Sequence, residues 1–206
     1  MSGYPIDKVG YHGFLTWDLE FDGVRIPKDN IIDQAKAARE DSDEEGEAAE
    51  QAGFAEAQAF LNTARVHTAA RAVGLARAAV EDCTTYLQER EQFGHPIADF
   101  QALRFTVAEM AAQIEQSRTF YRQVAHLLDL GLPCAKEASM VKLEATEMSV
   151  RVTNQAMQLH GGNGYTTERQ VERHWRDARL TTIFEGTSEI QKRIISDRLL
   201  PRSPLT

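Results

Sequence analysis

The chain has 206 residues, with 23 Lys and Arg against 31 Asp and Glu for a formal net charge of −8, and is 42% hydrophobic and 26% charged. That length holds one sizeable core, or a core with an appendage, and the composition is ordinary for a soluble globular protein. The acidic balance argues against a general nucleic-acid binder, which needs clustered Lys and Arg, and no apolar run approaches the ~20 residues of a membrane helix.

Leu15, Trp17, Leu19 and Phe21 alternate with Thr16, Asp18 and Glu20, predicting a strand with one buried face. Asp22-Gly23 favours a tight turn, and Val24 and Ile26 are expected to begin a return strand that Pro27 ends. Between Glu40 and Glu50 seven acids occur without a base, so the acidity is local and the rest of the chain is close to neutral. This run reads as a solvated, self-repelling linker, with an acidic docking segment as the alternative.

Beyond it the period becomes helical. Val66, Ala69, Val73, Ala76, Val80, Cys83 and Leu87 form one apolar stripe, which Gly94 and Pro96 are expected to end. Asp99 is placed to cap a second helix with stripe Leu103, Val107, Met110, Ile114, Tyr121, Val124 and Leu128, closed by Gly131 and Pro133. A third stripe, Val141, Ala145, Met148, Val152, Ala156 and Leu159, stops at Gly161-Gly162-Asn163-Gly164. Shorter helices are expected from Thr167 to Arg179 and from Thr187 to Leu200. The predicted fold class is therefore mainly α: an antiparallel, four-helix-bundle-like domain over 53–206, preceded by a β hairpin within 1–33 and the linker at 34–52.

Several stretches carry chemistry. The glycines after Gln158-Leu159-His160 supply either a helix stop or bare backbone for a ligand, and they do not form a Rossmann fingerprint. Arg90 suits a helix C-terminus, and an Arg is also shaped to grip phosphate. Thr187 or Ser188 is expected to cap the last helix. Glu185, between the run Thr181-Thr182-Ile183-Phe184 and Gly186, is a candidate general base in apolar surroundings or a capping acid near a helix start. No His or Cys spacing suggests a metal site, and Cys83 and Cys134 make no disulfide framework. The N-terminal MSGYPIDKVGYHG has no signal-like apolar block, so a cytoplasmic setting is expected.

Four stretches together resemble the acyl-CoA dehydrogenase family: Arg90 to Gln101, Gln158 to Tyr165, Arg176-Asp177-Ala178-Arg179, and Ile183 to Gln191. The resemblance covers the family's C-terminal helical domain over about Gly53 to Leu200. Lys8-Val9-Gly10 and Leu19 to Pro27 resemble the last strands of its middle β domain. It implies an FAD-dependent enzyme in which Glu185 takes the α-proton of an acyl-CoA. The β-hydrogen leaves as hydride to the flavin, giving the trans-2-enoyl-CoA. Arg90 and Gln101, with Gln158, Leu159, His160, Gly161 and Gly162, resemble positions holding the ADP half of FAD across a subunit interface. Thr187, Ser188 and Glu189 resemble flavin contacts beside the base, with Gly186 leaving room for substrate. Asn62 and Arg65 fall where the family contacts CoA, although Asn62 stands in place of its Asp.

The implied partners are the acyl-CoA, an electron-transfer flavoprotein as acceptor, and a second or further copies in a homodimer or homotetramer. The family's N-terminal half has no counterpart among these residues, which points to a separate chain carrying it or to a truncated enzyme that holds FAD weakly by itself. A non-catalytic oligomerisation module and a flavin oxidase are the alternative readings.

Overall fold

A computed structural model describes residues 1–27, 30 and 46–200, with the backbone course alone over 46–59. The chain divides into two compact units, Met1–Asn62 and Thr63–Thr206.

In the first unit, β1 (Ser2–Pro5) pairs antiparallel with β2 (Trp17–Glu20), with Ser2 opposite Glu20 and Pro5 opposite Trp17. The loop between them is tied by Lys8, whose Nζ donates to the carbonyls of Tyr11 and Phe14. The strand expected around Trp17 is present, but its partner is β1. Val24 to Pro27 form no return strand, although Gly23 does turn the chain at a φ of +58°. Pro27 removes a ladder donor from that stretch, and β2 meets Ser2–Pro5 instead. The expected buried face is also not formed: Leu15, Trp17, Leu19 and Phe21 are all exposed, Leu19 by 45%. A two-stranded ladder offers nothing to bury a face against.

The second unit is helical. Its first helix, α1, spans Gly46–Glu89 and begins within the residues of the first unit, so residues 46–52 of the expected linker are helical, and 34–45 lie outside the described residues. A two-residue ladder, β3 (Glu91–Gln92) with β4 (His95–Pro96), follows. Phe93 and Gly94 have φ of 59° and 86°, the two positive values that a type I′ turn requires. Gly94 and Pro96 therefore build a hairpin after α1, and the helix itself stops earlier, with Arg90 N–H donating to the Tyr86 carbonyl at 2.8 Å.

A 3-10 turn (Ile97–Asp99) leads into α2 (Gln101–Asp129). Asp99 does not cap α2; Phe100 is the N-cap residue and no side chain bonds there. The inserted 3-10 turn moves the helix start past Asp99. Helix α2 ends in a Schellman motif: Leu132 N–H donates to the Leu127 carbonyl at 3.0 Å and Gly131 N–H to that of Leu128 at 2.9 Å, with Gly131 at φ +67°.

Helix α3 (Ala135–Leu159) runs back through the middle and packs against α2, α4 (Val171–Thr181) and α5 (Ser188–Leu199). The short connections make neighbouring helices antiparallel. All three predicted stripes face the core; Ala69, Ala76, Cys83, Val124, Val141, Ala145 and Met148 are fully buried. Helix α4 begins at Val171, not Thr167, because Thr166 N–H and its hydroxyl are both turned back onto the Asn163 carbonyl.

Candidate functional site

Glu185 lies in the turn between α4 and α5. Thr181 and Thr182 close α4 by donating their hydroxyls to the Ala178 and Arg179 carbonyls. The chain then reverses, and Ser188 N–H donates to the Thr182 carbonyl at 3.1 Å across the turn. Thr187 is the N-cap of α5, its hydroxyl accepting from Ile190 N–H at 3.4 Å.

The reversal needs two successive left-handed residues, Glu185 at φ 55° and Gly186 at φ 90°. Glycine takes that region without strain, whereas a side chain there carries a cost. Two buried side chains hold the turn. The Gln191 amide donates to the Glu185 carbonyl at 3.1 Å and to the Gly186 carbonyl at 2.9 Å. Lys142 Nζ donates to the same Gly186 carbonyl at 2.7 Å. Both residues are 0% exposed. A Cβ on Gly186 would stand 2.7 Å from Gln191 Nε2, so besides the strain at this φ a side chain there displaces the amide that holds the turn.

Charged groups converge on this turn. Arg65 is buried, and burial pulls its guanidinium pKa down while the nearby Glu185 charge opposes that shift. The Ser188 hydroxyl donates to Glu147 Oε1 at 2.6 Å. Burial pulls the Lys142 ammonium from its ordinary 10.5 down to about 8; Glu147, Glu185 and Glu189 push the other way, and Arg65 adds to the lowering. Glu189 is held below the usual carboxylate range by its own backbone N–H and then by the Thr187 hydroxyl.

A pH dependence follows from Lys142. Between about pH 8 and 10.5 the unfolded chain holds the proton and the folded one does not, so stability rises with pH across that window. The wild-type minus Lys142→Met difference in unfolding free energy should climb there by about 3 kcal/mol in favour of the wild type. Chemical denaturation of both proteins across that window measures it, and a flat difference contradicts the buried ammonium.

A second group of candidate residues sits at the other end of α3. The Tyr86 and His160 rings stack with centroids 4.4 Å apart, and Asn163 Nδ2 donates to the Tyr86 hydroxyl at 3.0 Å. Leu159 and His160 are buried in this packing, so only their main chain is left for a ligand. Arg90, Gln101, Gln158, Gly161 and Gly162 are exposed. A Cβ at Gly161 or Gly162 would meet nothing within 4 Å, so bare backbone does face open space there. Gly164 serves packing instead: its Cβ would lie 2.5 Å from the Met157 carbonyl oxygen. An exposed guanidinium at the end of α1 and bare backbone at Gly161 and Gly162 are the kinds of group that suit a pyrophosphate such as that of FAD.

Thus the structure gathers Arg65, Glu185, Gly186, Thr187, Ser188 and Glu189 at one place, while at the other the Tyr86–His160 stack brings the end of α1, with Arg90 one turn beyond Tyr86, to the segment Gln158 to Gly162, and Gln101 opens α2 after the hairpin that follows Arg90. Along α3, from Lys142 to His160, the two groups are roughly 27 Å apart at helical rise. Asn62 is half-buried on α1, one turn before Arg65. The sequence reading missed Lys142, Gln191 and Glu147. One signal was available for Lys142: Ser139, Lys142, Thr146, Ser149 and Thr153 repeat at helical spacing beside the apolar stripe, and all five are buried. Among the described residues no group of three or more His, Cys, Asp or Glu is placed to hold a metal ion, and no helix is long and apolar enough to cross a membrane.

A sequence profile for the acyl-CoA dehydrogenase C-terminal domain matches residues 51–200. The bovine mitochondrial short-chain specific acyl-CoA dehydrogenase is 41% identical over 198 residues, which are 96% of this chain and 44% of that protein. The caffeyl-CoA reductase-Etf complex subunit CarC of Acetobacterium woodii is 36% identical over 195 residues, 95% of this chain and 48% of that protein. The butyryl-CoA dehydrogenase structure from Megasphaera elsdenii superposes with a TM-score of 0.85 at 37% identity, covering 96% of this chain and 48% of that one. The chain belongs to the acyl-CoA dehydrogenase family and carries its C-terminal helical domain. It spans about half the length of these relatives.

Proposed function

We propose that this chain provides the base-bearing domain of an FAD-dependent acyl-CoA dehydrogenase, an oxidoreductase that converts an acyl-CoA to its trans-2-enoyl-CoA. The observation that carries the reading is Glu185, set in a left-handed turn whose two carbonyls are held by Gln191 and Lys142. Glu185 removes the α-proton of the acyl group. Buried cationic groups, Arg65 and Lys142, lie close enough to interact with its charge. Bound FAD would supply the acceptor for the β-hydrogen, which leaves as hydride. Gly186 keeps the backbone beside the base narrow, and the Thr187 cap starts α5 immediately after it.

Arg90, Gln101, Gln158 and the main chain through Gly162 would hold the pyrophosphate end of FAD, and Thr187, Ser188 and Glu189 would serve its reacting end. The separation of roughly 27 Å along α3 supports serving the two ends from different copies, in a homodimer or homotetramer. An electron-transfer flavoprotein as acceptor is supported by the relative named as a subunit of a reductase-Etf complex. The names of the bovine and Megasphaera relatives make butyryl-CoA the first substrate to try.

With a chain carrying the family's N-terminal half supplied, anaerobic addition of butyryl-CoA and longer straight-chain acyl-CoAs to the flavin-loaded protein should bleach the visible flavin absorption, whereas the 206-residue chain alone should hold FAD weakly and reduce it slowly or not at all. Bound FAD that no acyl-CoA reduces would sink the proposal. Re-oxidation by an electron-transfer flavoprotein and not by oxygen separates a dehydrogenase from an oxidase.

A further inference from the structure

We propose that Lys142 is a positioning residue for Glu185, fixing the Glu185–Gly186 turn to α3 through its hydrogen bond to the Gly186 carbonyl. The donor and acceptor are 2.7 Å apart and 44 residues apart in sequence. Gln191 holds the same carbonyl, but from α5, only 5 residues further along. A shift of α5 would carry Gln191 and the turn together. Lys142 is anchored elsewhere, in the central helix, so its bond sets the register of the turn against the rest of the bundle.

Two further facts separate this role from ordinary packing. First, Gly186 O already has a partner in Gln191, so an ammonium is not needed to satisfy that carbonyl. Second, a buried charge is a costly way to fill space, and removing one in favour of an apolar side chain is often neutral or stabilising. Burial lowers the Lys142 pKa even though Glu147, Glu185 and Glu189 favour its charge, with Arg65 opposing them. A charge kept against that cost, and aimed at a turn with a non-glycine residue at φ 55°, stabilises a backbone conformation that persists only when its surroundings over-determine it.

This positioning role rests on Glu185 being the base. The test reads the turn itself, with neither flavin nor substrate, so it fails separately from that assignment. Hydrogen exchange is measured on the full 206-residue chain and on Lys142→Met. The reporter is the Ser188 amide, bonded across the turn to the Thr182 carbonyl. It should exchange at least about tenfold faster in the variant, the loss expected for one charge-assisted hydrogen bond. Amides in the middle of α3, around Val152, should keep their wild-type rates.

A second measurement needs no variant. In the unmodified protein the carbonyl carbon resonance of Gly186 and the Cε resonance of Lys142 should titrate with one shared midpoint. An unchanged Ser188 rate overturns the proposal. So does faster exchange spread evenly along α3, which would make Lys142 an ordinary core residue, or a Gly186 carbonyl that stays constant while Lys142 titrates.

Discussion

Glu185→Gln should abolish flavin reduction by acyl-CoA in the flavin-loaded protein, lowering its rate by about 10³-fold or more, while acyl-CoA still binds. The α-proton of a thioester is weakly acidic, so its removal needs a base held at the carbon. Glutamine has the size and polarity of glutamate and cannot accept the proton. The main-chain bonds from Gln191 and Lys142 to the turn do not use the Glu185 side chain, so the turn should survive the change. A factor of 10³ is about 4 kcal/mol of barrier. Rapid-mixing absorbance measures the reduction step, and titration with the acyl-CoA measures binding. A variant that reduces flavin at the wild-type rate would remove Glu185 from the chemistry.

Gly186→Ala should be nearly as damaging, through the backbone. Its φ of 90° is a region that alanine occupies only with strain, and its Cβ would press on Gln191 Nε2 at 2.7 Å and Ile190 Cγ2 at 3.4 Å. The Gln191 amide would have to withdraw, releasing the Glu185 and Gly186 carbonyls together. Strain of about 1–3 kcal/mol and the loss of buried hydrogen bonds add in the same direction. The expected result is an unfolding free energy lower by about 2–4 kcal/mol and a flavin-reduction rate close to that of Glu185→Gln. Gly162→Ala is the matched control for stability, measured without flavin, because a Cβ there meets nothing within 4 Å. Equal melting temperatures for the two alanine variants would show that the turn is not held as described.

The helical bundle was legible because its signal is local. Residues three and four apart share a face of a helix, so the stripes from Val66, Leu103 and Val141 identify the buried sides without knowledge of what they meet. The family was legible for a similar reason, in contiguous stretches around Arg90, Gln158 and Glu185. Helix ends were read less well. The Asp99 cap and the Thr167 start both failed where short turns, Ile97–Asp99 and the Thr166–Asn163 bonds, took over the chain before the helix began.

The β pair shows the limit more sharply. Alternation around Trp17 identified a strand, but a period of two contains no information about which segment supplies the ladder, and Ser2–Pro5 took that place. The glycines after Leu159 divide in the same way. Composition alone suggested an open backbone, which holds for Gly161 and Gly162, whereas Gly164 is required by contact with Met157 and His160.

By itself the sequence determined the helical class, the buried faces, the family and Glu185 as the candidate base. Only the tertiary structure decided how that base is held: Lys142 on the Gly186 carbonyl across 44 residues, and Ser188 on Glu147 across 41. Apolar burial is non-directional and follows from spacing along one element. A hydrogen bond has to be made between particular atoms at particular distances, and when its partners come from different helices only the packed fold brings them together.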